Sequence, residues 1–143
     1  MRAFTLIEVL IVLAIIVLAL TVISPLGLSF YQQYQLTTAV SQAIQVLRMA
    51  RLKAETGYQQ SSYGVYFESE KFIFFKGDSY LTRDKSFDRI FEVAPTITFS
   101  GLTEVVFSKS TGIPLNYGTI TISQENQKRI IEINQLGRIN LKQ

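Results

Sequence analysis

The sequence predicts an α+β protein in which one long N-terminal helix packs on an antiparallel β-sheet or a small β-sandwich. Three observations predict it. Phe4–Ile23 is an apolar run that holds a single charge, Glu8. From Gln32 to Glu55 the apolar residues recur at spacings of three and four, the period of one helix face. After Gly57 the period changes to two, the alternation of strands with one buried face.

Composition narrows the function before any motif is considered. With 143 residues, 48% hydrophobic and 17% charged, the chain has room for one domain and an appendage. A formal charge of +3 is too small by itself to argue for a nucleic-acid partner. The chain has no Cys, no His and no Trp. Disulfides, Cys/His zinc sites, thiol nucleophiles and histidine acid–base chemistry are therefore excluded, and no cofactor is expected. The lack of Cys leaves the compartment open, because a secreted domain with a large enough core folds without disulfides.

The first element reads VLIVLAIIVLAL over residues 9–20 and continues to Ile23. Twenty residues of helix reach ~30 Å, the thickness of a bilayer core, so its first half is expected to be transmembrane. Arg2 places the N-terminus on the cytoplasmic side. A secretory signal peptide would have a shorter apolar core and a small-x-small exit, and neither is found before Pro25. Glu8 does not fit a plain anchor, since a carboxylate at membrane depth costs ~2.5–3.5 kcal/mol.

The stretch FTLIEVLIVLAIIVLAL resembles the processing and methylation segment of type IV prepilins and type II secretion pseudopilins. The likeness lies in Phe4, Thr5, Leu6 and Ile7, then Glu8, then an unbroken apolar helix. The resemblance implies a pilin-like plan and a structural subunit, not an enzyme. A prepilin peptidase would cut between Ala3 and Phe4, and the new amine of Phe4 would be methylated. Ala3 stands where the family leader usually carries Gly. Glu8 would then attract the Phe4 amine of its own chain or of a neighbour in a growing filament. An α-amine, with a pKa near ~7.7–8.0, is largely protonated at neutral pH, and an unpaired carboxylate in a low-dielectric site gains much from a cation. The implied partners are other pilin or pseudopilin subunits, prepilin peptidase, an inner-membrane assembly platform, and membrane lipid before assembly. The implied location is the cytoplasmic membrane, single-pass, followed by an extracellular pilus or a periplasmic pseudopilus.

Residues 1–3 are thus expected as leader, 4–24 as the transmembrane assembly helix, 25–56 as its amphipathic continuation and 57–143 as the β domain. Pro25 removes a backbone donor and Gly27 adds freedom, so a weak point or kink is expected there. Beyond it, Leu36, Val40, Ala43, Leu47, Ala50 and Ala54 form an apolar stripe, and Gly57 ends the helix.

The strands follow in order. Tyr63–Glu68 and Lys71–Lys76 form a hairpin about Ser69-Glu70, and Phe87–Val93, Thr96–Ser100 and Thr103–Ser108 come next. Gly118–Ser123 and Arg129–Asn134 form a late hairpin, and Arg138–Leu141 is the last strand. Alternation turns Val65, Phe67, Ile97, Phe99, Val105, Phe107, Ile120, Ile122, Ile131 and Ile133 inward. Phe72–Phe75 has apolar residues at every position, the mark of a strand covered on both faces. RMARLKAETG followed by YGVYF, with RIIEINQLGRI near the end, also resembles the H-type minor pseudopilins and their fimbrial T relatives.

Two rival functions remain in view. Some fimbrial T proteins bind DNA through a basic loop after a Gly-Arg pair, and that likeness makes Lys128, Arg129, Arg138 and Lys142 candidate DNA contacts. Asn140 takes the place of a further basic residue in that pattern. Charge protection of a strand edge explains the same cations. The other rival is a monomeric, membrane-anchored exodomain. No catalytic or metal-binding set emerges: the acids alternate with Lys and Arg, as in Arg83-Asp84-Lys85, and no base stands beside a Ser or Thr.

Overall fold

Gly57 ends the long helix by adopting φ +65°, the left-handed conformation that only glycine takes without a Cβ penalty. Its amide donates to Ala54, and Thr56 donates to Leu52, so the last carbonyls of the helix are satisfied. The computed structural model describes residues 5–142, apart from the side chains of residues 21–29. Ala3 and Phe4 lie outside the described residues.

Helix α1 spans Leu6–Glu55, and a short 3-10 turn follows at Tyr58–Gln60. The backbone of α1 is helical at Pro25 and Gly27, where an interruption is expected, and the side chains of both lie outside the described residues. The chain divides into two units, Met1–Tyr34 and Gln35–Gln143.

The expected transmembrane first half of α1 is not found. No helix among the described residues is long and apolar enough to cross a membrane. The described apolar side chains run from Leu6 to Leu20, which is ~22 Å of helix against ~30 Å of bilayer core. That does not fit the expected single-pass placement in the cytoplasmic membrane. The fold class is α+β with two antiparallel sheets, and its eight strands exceed the sheet content of the pilin-like plan, which is corrected accordingly.

The second unit holds the core. Strands β1 (Tyr63–Glu68), β2 (Lys71–Lys76), β3 (Asp84–Glu92) and β5 (Glu104–Phe107) form a first sheet in the order β3-β2-β1-β5. Strands β4 (Thr98–Gly101), β6 (Gly118–Gln124), β7 (Gln127–Ile133) and β8 (Ile139–Lys142) form a second, in the order β4-β6-β7-β8. All pairings are antiparallel. The stripe from Leu36 to Ala54 packs into one apolar cluster with the inner residues of both sheets. Of the ten residues that alternation turns inward, nine are buried and Phe99 is half-buried. Phe99 packs beside Phe67 and Phe72, with ring centroids 5.4 and 6.2 Å away, and so joins the two sheets.

The first sheet is covered on its outer face too. Ile73, Phe75 and Val106 are buried there. Tyr80, in the loop after β2, stacks on Tyr66 at 3.8 Å and meets Phe75 edge-on at 5.7 Å. Arg83 fixes that loop: its Nε donates to both oxygens of Asp88 at 3.0 and 2.8 Å, and its Nη1 donates to the Tyr80 carbonyl at 2.7 Å. Gly64 leaves room for this layer. A Cβ there would overlap the Phe75 ring and come within 2.8 Å of the Val105 carbonyl. Gly64→Val is therefore expected to destabilise the domain by ~1–3 kcal/mol, with the urea midpoint lowered and the near-ultraviolet tyrosine signal altered.

Candidate functional site

Two features of the molecule carry more than structure requires: the apolar surface of α1 in the first unit, and a group of arginines at the end of α1 in the second.

In the first unit the helix begins at Thr5, whose carbonyl accepts from the amides of Glu8 and Val9 at 3.1 and 3.3 Å. Every described side chain from Leu6 to Leu20 is exposed, including Leu6 at 82% and Leu18 at 67%. The apolar residues cover all sides of the helix, so no face of it suits water. Glu8 shares a shallow groove with Val9, Val12 and Leu13. In the first turn its carboxylate also favours the helix by ~0.3–1 kcal/mol through the backbone dipole. That local role explains an acid here, but not fourteen uncovered neighbours.

In the second unit the four cations named as candidate DNA contacts are not brought together. The β7–β8 register pairs Ile130 with Lys142 and Ile133 with Ile139. Lys128, Arg129 and Lys142 therefore lie towards one end of this strand pair and Arg138 at the other. Lys142 is already paired, its Nζ lying 2.8 Å from the Glu132 carboxylate. Arg129 donates to the Lys128 carbonyl at 3.0 Å.

Arg138 instead lines a groove of about 550 Å³ with Arg48, Arg51, Leu52, Glu55, Ile139 and Asn140. Arg48 and Arg51 stand three residues apart on α1 and so share a face. Arg51 is half-buried: its Nη1 donates to the Gly137 carbonyl at 2.9 Å, and its Nε lies 4.0 Å from Glu55. The Nε–H has no hydrogen-bond partner among the described residues. Arg51 thus pins the β7–β8 loop to the helix. Arg48 and Arg51 are not among the cations that the sequence analysis singles out, so this grouping is new with the fold. The i, i+3 arginine pair is the signal for it, but only the fold brings Arg138 alongside.

Two groups titrate away from their ordinary values. Burial pushes the Tyr63 hydroxyl up, with a smaller push from Tyr58. Hydrogen bonds from Ser86 lower the Asp84 carboxyl. Both are local effects of structure and neither group lines a groove with a nucleophile. Among the described residues, no group of three or more His, Cys, Asp or Glu could hold a metal ion.

Comparison with family models, curated proteins and solved structures gives no match. What the chain does is therefore argued from its own residues.

The arginines differ in kind, and stability measurements separate them. Arg51→Leu removes the donor to Gly137 and is expected to cost ~1–2 kcal/mol in urea unfolding. Arg48→Ala, at an exposed position, is expected to change stability by less than ~0.5 kcal/mol. Equal effects would remove the distinction between a pinned and a free guanidinium.

Proposed function

We propose that this chain is a type IV pilin-like structural subunit, a minor pilin or pseudopilin, that polymerises through its N-terminal helix after prepilin peptidase removes residues 1–3. The observation that supports this reading most is the helix surface from Leu6 to Leu20, exposed on every side and carrying one acid, Glu8. Covering such a surface releases ~25 cal/mol per Å² of apolar area, which favours helix against helix once copies meet.

Apolar packing alone sets no register, because a greasy helix slides along its neighbours at little cost. Glu8 supplies the register. Moving it from water into a bundle of helices costs several kcal/mol unless a cation meets it. A free amine on Phe4 would supply that cation, and at ~4 Å with an effective dielectric near 20 the attraction is ~4 kcal/mol. Copies packed out of step would leave both charges unmet.

The assembly machinery and sibling subunits are the partners this reading needs. DNA is not proposed as a partner, because the four candidate cations are divided between two ends of the β7–β8 pair and one is neutralised.

Glu8→Leu keeps the helix apolar and is expected to lower incorporation into filaments ~100-fold, while leaving the thermal midpoint of the domain unchanged. Sedimentation and electron microscopy of the full chain, made with its peptidase, measure this. Wild-type levels of filament from Glu8→Leu would reject the reading. Mass spectrometry of assembled protein is expected to find an N-terminus at a methylated Phe4.

A further inference from the structure

The edge of the first sheet carries an apolar patch that the β domain does not use. Residues 113–117 run beside β5: the Ser108 amide donates to the Ile113 carbonyl and the Leu115 amide to the Val106 carbonyl, both at 2.8 Å. Pro114 pairs with Phe107 and is buried, and Asn116 is half-buried. Alternation turns the residues between them the other way, and Ile113, Leu115 and Tyr117 are 48, 60 and 54% exposed. Gln135 donates to the Tyr117 hydroxyl at 3.0 Å, and Leu136, also exposed, follows it in the β7–β8 loop.

The chemistry of the patch narrows what covers it. A further strand is a poor fit: Pro114 brings no N–H to the outer edge of this segment, and the Asn116 side chain already holds Val106 and Glu104. A partner therefore meets the patch through side chains. The patch offers on the order of 300–400 Å² of apolar surface, the size of a functional patch on a monomer. That is about half at most of the ~800 Å² each partner gives to a stable interface, so the partner is one already held by a second contact. Alternate residues on an extended chain stand ~6.6 Å apart. Residues four apart on a helix stand ~6 Å apart along its axis, so the row matches an apolar helix ridge.

The chain itself displays such a helix. From Leu6 to Leu20, α1 is exposed and apolar on all sides. Helices packed in a bundle cover their inward sides and leave an outward side in water. For a helix apolar all round, that outward side needs cover that the bundle cannot supply.

We propose that Ile113, Leu115 and Tyr117 of one copy pack on the outward side of α1, between Leu6 and Leu20, of a second copy. A second copy is the occupant because it carries the matching ridge and is held by the helix bundle, which makes a patch of this size sufficient. The proposal rests on the assembly reading and names the surface that completes the cover of α1.

Photochemical crosslinking tests it. Leu115→p-benzoylphenylalanine puts one photoreactive side chain in the patch. Unlabelled copies of this full-length variant are assembled with an excess of nitrogen-15-labelled wild-type chain and irradiated. Mass spectrometry is expected to map the adducts between Leu6 and Leu20 of a labelled copy. The double variant Leu115→Gln, Tyr117→Gln is expected to keep the thermal midpoint of the domain and to enter filaments ~10-fold less than wild type. Filaments whose adducts fall within one copy, on a β domain or nowhere, or wild-type incorporation of the double variant, overturn the contact and leave the assembly reading standing. Adducts on α1 of a labelled copy in protein that makes no filaments support the contact and count against the assembly reading. Neither adduct nor filament overturns both.

Discussion

The stripe from Leu36 to Ala54 is shared by both sheets, and the domain depends on that sharing. Each sheet turns an apolar face inward: Val65, Phe67, Phe72, Phe74, Val105 and Phe107 on one, Ile120, Ile122, Ile131 and Ile133 on the other. An apolar sheet face left open to water forgoes the burial that drives folding. The helix closes both faces with one set of side chains. Alanines at 39, 43, 50 and 54 keep its surface low, so the large rings of β2 come close. Leu36, Val40 and Leu47 fill the spaces between, each worth ~1.5–3 kcal/mol when buried. The chain has no Cys to staple the domain, so this shared burial carries the more weight.

That sharing leaves the outer surfaces to be managed locally. The outer face of the first sheet is roofed by the loop after β2, held by a salt bridge whose two side chains are only 14% and 16% exposed. A largely buried, charge-assisted pair of this kind keeps much of its strength, unlike the exposed pairs of Lys71 and Lys142. The free edge of β5 is occupied by Asn116, which accepts from the Val106 amide and donates to the Glu104 carbonyl. Its side-chain amide stands in for the missing neighbour strand, so this edge offers little to a passing chain.

How much of this was legible depends on the range of the interaction. The helix stripe and the inward-facing strand residues follow from periods of 3.6 and 2, and they lie where alternation places them. Phe72–Phe75 reads as covered on both faces and is. Boundaries shift where local chemistry intervenes: β3 begins at Asp84, not Phe87, because polar residues pair with β2 as readily as apolar ones on an edge. Strand β4 begins at Thr98, because Ile97 closes a turn onto Ala94 after Pro95. The choice between one sheet and two is set by which strands meet across long connections, and period does not encode that. The same holds for the basic residues. The likeness to fimbrial T proteins groups Arg138 with Lys128 and Arg129, while the β7–β8 register sends them apart and Arg138 lines a groove with Arg48. The transmembrane expectation counted twenty apolar residues as one span, and the described part of that surface is shorter.

The two units meet opposite physical demands. In the second, nearly every large inward side chain is covered. In the first, what remains unmet is apolar area, with one charge inside it. Apolar area is strong and indifferent to direction, while charge is weak in water and strict about sign. A subunit that used only the first would cohere without order, and one that used only the second would come apart in salt. In the proposed assembly, Glu8 within the apolar helix would add direction to the association that burial drives. The proposed polymer would draw on that combination, the apolar surface for strength and the buried acid for order.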